Sequence, residues 1–210
     1  MGVLLLPQQI FYISFRFAAA VEIVTKEEFL LERIKYLRLI REGAVFIHPT
    51  DTIYGIGCDA TNEKAVQRVR SIKQRASMPF SVIAPSKRWI FENCDVSGEG
   101  EKWLEKLPGP YTFIFRLKSS SVVAAGVNLG SKTLGVRIPK HWMAEVVAEL
   151  GFPTVSTSAN VTGEPYMTSA EDLDEGIGQK VDFIIYEGEK QGKPSTIVKL
   201  IEKEVEVVER

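Results

Sequence analysis

The richest run of side chains able to do chemistry is His48-Pro49-Thr50-Asp51-Thr52-Ile53-Tyr54-Gly55-Ile56-Gly57, which follows a short apolar, β-prone stretch at 44–48 that Pro49 stops. Loops leaving the carboxyl end of a buried strand are where α/β proteins place ligands. The hydroxyls of Thr50, Thr52 and Tyr54 can each donate and accept, and Gly55 and Gly57 allow close approach to the backbone. The same run also reads as an ordinary strand-turn whose Thr and Asp satisfy backbone groups. Lys73-Gln74-Arg75 closes a helix-like stretch and joins a mobile point charge to a planar fork, a pair suited to a polyphosphate or a carboxylate. Two cations at a helix C-terminus also complement its dipole without any ligand.

A third run, Pro153-Thr154-Val155-Ser156-Thr157-Ser158-Ala159-Asn160, starts as a strand and then strings hydroxyls and an amide along its end. Strand alternation would put Ser156, Ser158 and Asn160 on one face, a set fitted to a phosphate or a zwitterionic amino acid. The competing reading is an internally bonded polar network, or a helix N-cap at Ser158 or Asn160. Pro108-Gly109-Pro110-Tyr111-Thr112, Gly135-Val136-Arg137-Ile138-Pro139 and Pro194-Ser195-Thr196 add polar, turn-rich insertions beside strands, each alone more often a turn than a site. The chain contains no Walker-type loop, dinucleotide fingerprint or Gly-x-Ser-x-Gly elbow. His48 and His141 are its two histidines and lack clustered partners, so they read as structural or substrate-adjacent and no metal site is expected.

The elements that must position these residues follow from periodicity. Thr25 with Glu28 three residues on is a capping box, and Leu30, Ile34 and Leu37 recur at helical spacing until Gly43. Ala65, Val66, Val69 and Ile72 mark a second helix, with Lys64, Arg68, Arg70, Lys73 and Arg75 spread along and just beyond it. Strands are expected at 80–84, 112–117, 133–138, 154–156, 181–186 and 196–200, helices near 100–107, 142–150 and 170–175, and an edge strand at 205–208. Such interleaving predicts an α/β layered fold with one sheet and one domain.

Composition agrees. With 210 residues, 45% hydrophobic and 25% charged, the chain can bury a core without staples. Lys plus Arg is 26 against 27 for Asp plus Glu, so the net charge of −1 offers no general attraction to nucleic acid or anionic lipid, and phosphate binding must be local. Cys58 and Cys94 stand far apart, which fits a reducing cytoplasm. Residues 1–6 and 10–24 are largely apolar, but no basic region precedes them and Pro7 and Arg16 interrupt the run; residues 1–24 read as an N-terminal extension to a catalytic domain at 25–210, with no membrane span.

Taken together, the ordered segments resemble the YrdC-like family of threonylcarbamoyl-AMP synthases, in its short single-domain form, over nearly the whole chain beyond the extension. The run from His48 to Gly57 is similar to that family's signature loop, and Lys73-Gln74-Arg75 with Ser158-Ala159-Asn160 to its Lys-x-Arg and Ser-x-Asn pair. PGPYT, GVRIP and PSTIV fall in the family order. The resemblance implies an open, twisted sheet of mixed parallel and antiparallel strands with flanking helices around a large cavity. It implies a nucleotidyltransferase that makes threonylcarbamoyl-AMP and pyrophosphate from L-threonine, bicarbonate and ATP, with Mg²⁺ alongside the nucleotide, for a downstream threonylcarbamoyl transferase acting on tRNA. By position, Lys73, Arg75, Ser158 and Asn160 would contact ATP phosphates. Thr52 and Ser156 would hold threonine, Arg137 and Thr112 would line the nucleotide side, and Thr50, Tyr54, Ser195 and Thr196 complete the implied substrate set. The chain departs from the pattern at Ala76 and Met78, where the family usually has Pro and Lys, and at Lys199, where it usually has Asp. The alternative is a non-catalytic translation or ribosome-maturation factor that uses the same cavity to bind tRNA or double-stranded RNA.

Overall fold

The structure is a computed structural model, and it describes residues 21–201 and 205–209. What the sequence suggests for residues 1–20 therefore lies outside the described residues.

Ten described strands form one sheet, β1 (Glu22–Val24), β2 (Phe46–His48), β3 (Gly55–Gly57), β4 (Ser81–Ile83), β5 (Tyr111–Arg116), β6 (Thr133–Arg137), β7 (Thr154–Ser158), β8 (Phe183–Ile185), β9 (Thr196–Lys199) and β10 (Glu206–Val208), in the order β1-β8-β2-β3-β7-β4-β6-β5-β9-β10. β1, β8 and β2 are parallel, as are β4 with β6 and β5 with β9. The remaining pairs are antiparallel, so the sheet is mixed and open, as expected.

One face carries Phe46, Phe183 and Ile185, covered by the helices Arg33–Arg41 and Met143–Leu150 through Tyr36, Leu37, Ile40, Val146 and Leu150. The other face holds the larger core, in which Val45, Ile47 and Ile56 meet Val66, Val69 and Ile72 of the helix Glu63–Lys73. That helix starts at Asn62, whose side-chain oxygen accepts from the Ala65 N–H at 3.2 Å, and ends at Gln74, which takes the left-handed conformation with φ 49°.

Several boundaries differ from the sequence reading. The Thr25–Glu28 capping box forms, with Glu28 N–H to Thr25 Oγ1 at 3.1 Å and Thr25 N–H to Glu28 Oε2 at 2.7 Å. The helix it opens stops at Leu31, however, and a second begins at Arg33. The buried stripe is Phe29, Tyr36, Leu37 and Ile40; Leu30 and Ile34, assigned to it by spacing, are 39% and 87% exposed. The break at Glu32 shifts the phase between the two pieces, so one continuous 3.6-residue register does not apply across them. The expected helix at 170–175 is two short pieces, a 3₁₀ turn at Ala170–Asp172 and a helix at Glu175–Gly178. Strand β3 lies inside what reads as loop, and β1 lies within the stretch assigned to the extension, where Glu22–Val24 pair in parallel with Phe183–Ile185.

Candidate functional site

Strand pairing creates a row of small side chains at the centre of the sheet. Ser81 of β4 lies opposite Ser156 of β7 on one side and Gly135 of β6 on the other, and Ser158 of β7 lies opposite Gly55 of β3. Over this row opens a cleft walled by the 49–54 loop, by Arg75, Pro79 and Phe80 after the Glu63–Lys73 helix, by Thr112 and Arg137, and by Pro194 and Ser195 before β9. Its lining includes Thr50, Thr52, Tyr54, Arg75, Thr112, Arg137, Ser156, Ser158 and Ser195. Residues drawn from six distant segments thus meet in one place.

The polar groups are not equally available. Thr50 Oγ1 donates to the Ile53 carbonyl at 2.7 Å, accepts from Thr52 N–H at 3.1 Å and lies 2.9 Å from Thr52 Oγ1, so it shapes the turn that presents Thr52. The Tyr54 hydroxyl donates to the Gly188 carbonyl at 2.6 Å and accepts from Glu187 N–H at 3.1 Å; it anchors the β8–β9 connection to the cleft wall. That connection touches the wall again at Gly192, where a Cβ would fall 2.2 Å from the Thr52 carbonyl oxygen. Ser195 and Thr112 share a hydrogen bond of 2.7 Å. Thr196 begins β9, its N–H on the Pro110 carbonyl at 3.0 Å, and does not line the cleft.

Gly57 does not open the backbone to a ligand as the sequence suggests. A Cβ there would meet His48 Cδ2 at 2.9 Å, and one at Gly55 would meet His48 Nε2 at 3.1 Å, so both glycines make room for the imidazole on the neighbouring strand. His48 is fully buried, and burial holds its pKa down at about 4.

Lys73 is also buried, at 1% exposure, rather than solvated at a helix end. Its Nζ donates to the Ser158 carbonyl at 2.5 Å, the Asn160 carbonyl at 2.8 Å and Asn160 Oδ1 at 2.8 Å. Those three oxygens match the three donors of an ammonium. Burial first, and then the Arg75 charge, push its pKa down to about 7. Ser158 Oγ donates to Asn160 Oδ1 at 2.6 Å, and Asn160 Nδ2 to the Glu164 carbonyl at 2.6 Å. Ser158 and Asn160 therefore converge, but through a turn beyond the end of β7 instead of along one strand face, and of the two Ser158 lines the cleft. The internally bonded network expected as one reading of this segment is present.

Asp51 is the member that sequence reasoning passed over as a turn residue. Its Oδ1 accepts from Arg137 Nη2 at 2.6 Å and its Oδ2 from Lys140 N–H at 2.9 Å, and the Arg137 and Asp51 side chains are 7% and 11% exposed. Arg137 also reaches Thr52 Oγ1 at 3.4 Å. No local signal pairs positions 86 apart in the chain. A second, partly buried carboxylate, Glu187, accepts from His141 Nε2 at 2.8 Å and Trp142 Nε1 at 2.7 Å and pairs with Lys190. His141 Nδ1 accepts from Met143 N–H at 3.3 Å, which gives that histidine a structural role.

The cleft thus presents two guanidinium groups, Arg75 and Arg137, and a wall of hydroxyls, with no carboxylate among its lining residues. Such a lining selects anions with many acceptor oxygens. Among the described residues no group of three or more His, Cys, Asp or Glu is placed to hold a metal ion, and both Asp51 oxygens are engaged. The protein side chains here do not form a Mg²⁺ cage.

The family model Sua5_yciO_yrdC, described as telomere recombination, matches residues 38–210. The chain belongs to this family. It is similar to the putative threonylcarbamoyl-AMP synthase of Methanocaldococcus jannaschii, 36% identical over 80% of this chain and 82% of that one. It is also similar to the threonylcarbamoyl-AMP synthase of Vibrio campbellii, 32% identical over 77% and 90%. Among solved structures, Pyrococcus abyssi Sua5 in complex with L-threonine superposes with a TM-score of 0.79 at 30% identity over 90% of this chain and 56% of that one. Escherichia coli YciO gives 0.78 at 25% identity over 91% and 95%. Against Sua5 the chain thus spans little more than half the length, and no helix among its described residues is long and apolar enough to cross a membrane.

Proposed function

We propose that this chain is a threonylcarbamoyl-AMP synthase, a nucleotidyltransferase that converts L-threonine, bicarbonate and ATP to threonylcarbamoyl-AMP and pyrophosphate. The observation that carries the reading is the cleft itself: Arg75, Arg137 held in place by Asp51, and a row of hydroxyls, with no carboxylate among the lining residues, a lining complementary to a triphosphate and an amino-acid carboxylate. Relatives that share the fold bear the name of this activity, and one was solved with L-threonine bound.

The chemistry asks little covalent participation of the protein. Bicarbonate takes up a proton and loses water to give carbon dioxide; threonine's amine adds to it and gives up a proton to solvent, leaving a carbamate. A carbamate oxygen then attacks the α-phosphorus of ATP, and the bond from that phosphorus to the bridging oxygen breaks to release pyrophosphate. Arg75 and Arg137 face the charge that develops on the phosphates, Ser158 supports the nucleotide from the end of β7, and Thr52 and Ser156 bond the threonine carboxylate and hydroxyl. Thr112 and Ser195 close the nucleotide side. Lys73 and Asn160 act behind this lining, while Thr50 and Tyr54 belong to it but use their hydroxyls to shape the segments that present it. Positioning and electrostatic stabilisation are the expected sources of rate. Any Mg²⁺ would be held by the nucleotide's own phosphates, and no step is assigned to it. The product is a mixed anhydride whose consumer is a transferase acting on tRNA in the cytoplasm. The near-neutral charge of −1 gives the RNA-binding alternative no support.

The test is a matrix of ATP with threonine, serine or valine, with bicarbonate present or scrubbed, following pyrophosphate and the adenylate by mass. Release should need threonine and bicarbonate together. Serine should be poorer and valine very poor, because a site built to bond a hydroxyl discriminates strongly against an analogue lacking it. Equal pyrophosphate release without bicarbonate, or with valine, rules the chemistry out.

A further inference from the structure

Arg70 reads in sequence as one of several cations along a helix, yet it is 7% exposed and its guanidinium bonds two separate segments. On one side Nε donates to the Gly126 carbonyl at 2.6 Å and Nη2 to the Val127 carbonyl at 3.3 Å, both in the short helix Ala125–Asn128. On the other side Nη1 donates to the Arg75 carbonyl at 2.8 Å and the Met78 carbonyl at 3.2 Å. The group lies 4.5 Å from the Phe80 ring centroid, and the Arg75 guanidinium lies 5.6 Å from the same ring. Residues 74–80 leave the helix through the left-handed Gln74, pass through exposed Ala76, Ser77 and Met78, and return to the sheet where Phe80 N–H meets the Val127 carbonyl at 2.8 Å. This loop supplies Arg75, Pro79 and Phe80 to the cleft wall.

We propose that Arg70 is a positioning residue: its buried guanidinium ties the 74–80 loop to the Ala125–Asn128 helix and thereby aims Arg75 at the anionic part of the nucleotide. Four carbonyls on two sides of one planar fork fix the loop at Arg75 and again at Met78, with Phe80 packed on the fork's face. With all its bonds made to carbonyls outside the cleft lining, the guanidinium touches no ligand directly; it makes the ordering of Arg75 precede ligand binding, which lowers the entropic cost of binding. Lysine cannot replace it, because one ammonium does not span both pairs of carbonyls. The inference rests on the nucleotide reading of the cleft and concerns a residue outside its lining.

The experiment compares the full chain with Arg70→Lys by three readouts: amide hydrogen exchange, thermal melting, and the Michaelis constants for ATP and for threonine. Exchange at the Arg75 and Phe80 amides, which bond the Arg70 and Val127 carbonyls at the two ends of the loop, should speed up at least about tenfold, and KM for ATP should rise about tenfold, as expected for loss of one or two charge-assisted bonds. KM for threonine should stay within about twofold, because Thr52 and Ser156 lie on segments Arg70 does not touch. Added methylguanidinium should restore ATP affinity in Arg70→Ala, if that variant folds, and leave the wild type unchanged. Unchanged exchange in the loop, or faster exchange with unchanged KM for ATP, overturns the proposal. Equal rises in both Michaelis constants with a large drop in melting temperature would return Arg70 to a purely structural role. A wild-type chain with no affinity for ATP sinks the proposed function and the nucleotide half of this inference, while the exchange rates still decide whether Arg70 holds the loop.

Discussion

Lys73 Nζ and Asn160 Oδ1 stand 2.8 Å apart, and the same nitrogen also bonds the carbonyls of Ser158 and Asn160. The ammonium is the pin that joins the end of the Glu63–Lys73 helix to the turn after β7. We predict that Lys73→Ala abolishes turnover and also costs about 2–3 kcal/mol of stability, since it removes three hydrogen bonds and leaves a gap where a buried side chain stood. Arg75→Ala, at the half-buried cleft wall, should cripple turnover at a stability cost of about 1 kcal/mol or less. Melting curves beside pyrophosphate-release rates separate the two. Equal melting temperatures for Lys73→Ala and wild type would contradict the pin.

The Asp51–Arg137 pair sets a second expectation. Asp51→Ala leaves a buried guanidinium without its carboxylate and should destabilise by about 3 kcal/mol or more. Asp51→Asn keeps one acceptor and the shape, so it should fold while raising KM for ATP as Arg137 loses its fixed orientation. Denaturant titration and steady-state kinetics check both. Wild-type kinetics in a folded Asp51→Asn would remove Asp51 from the site's support.

Strand β1 predicts where the chain can be shortened. A chain starting at Val21 keeps the pairing of Glu22–Val24 with β8 and the Tyr36 hydroxyl on Glu22 at 2.9 Å, and it should fold with activity intact. One starting at Thr25 loses both and should melt lower. Soluble yield and melting temperature of the two decide the matter; identical melting would mean that β1 adds nothing.

Glu187 governs stability in acid. Burial opposes its ionisation, but hydrogen bonds from His141, Lys190 and Trp142 outweigh that and hold its pKa at about 2, below the ordinary 4.5. A lowered carboxylate contributes stability that is complete above the unfolded value and is lost as pH falls toward the folded one. The melting-temperature gap between wild type and Glu187→Gln should therefore shrink as pH drops from about 5 to about 3. A gap that is constant with pH would show that the carboxylate's charge is not what the three donors hold.

By itself the sequence determined the elements and the chemistry each segment can offer. Local rules sufficed for the capping box at Thr25, the strands around 81–83, 133–137 and 196–199, and the hydroxyl-rich end of β7, because propensity, caps and alternation act over a few residues. Motif order was enough to expect the family, the mixed sheet, and a site drawn from the segments around positions 52, 75, 112, 137, 156 and 195. Only the tertiary structure decided which of those groups face the cleft and which hold it up. Burial turned Lys73 and Arg70 from helix charges into internal clamps, and the hydroxyls of Thr50 and Tyr54 into turn and loop anchors. It also exposed Ile34, where a one-residue break rephased the helix. The pairing of Asp51 with Arg137, and of Lys73 with Asn160, joins residues 86 and 87 apart, and such contacts depend on strand order and register, which no local pattern in the chain encodes.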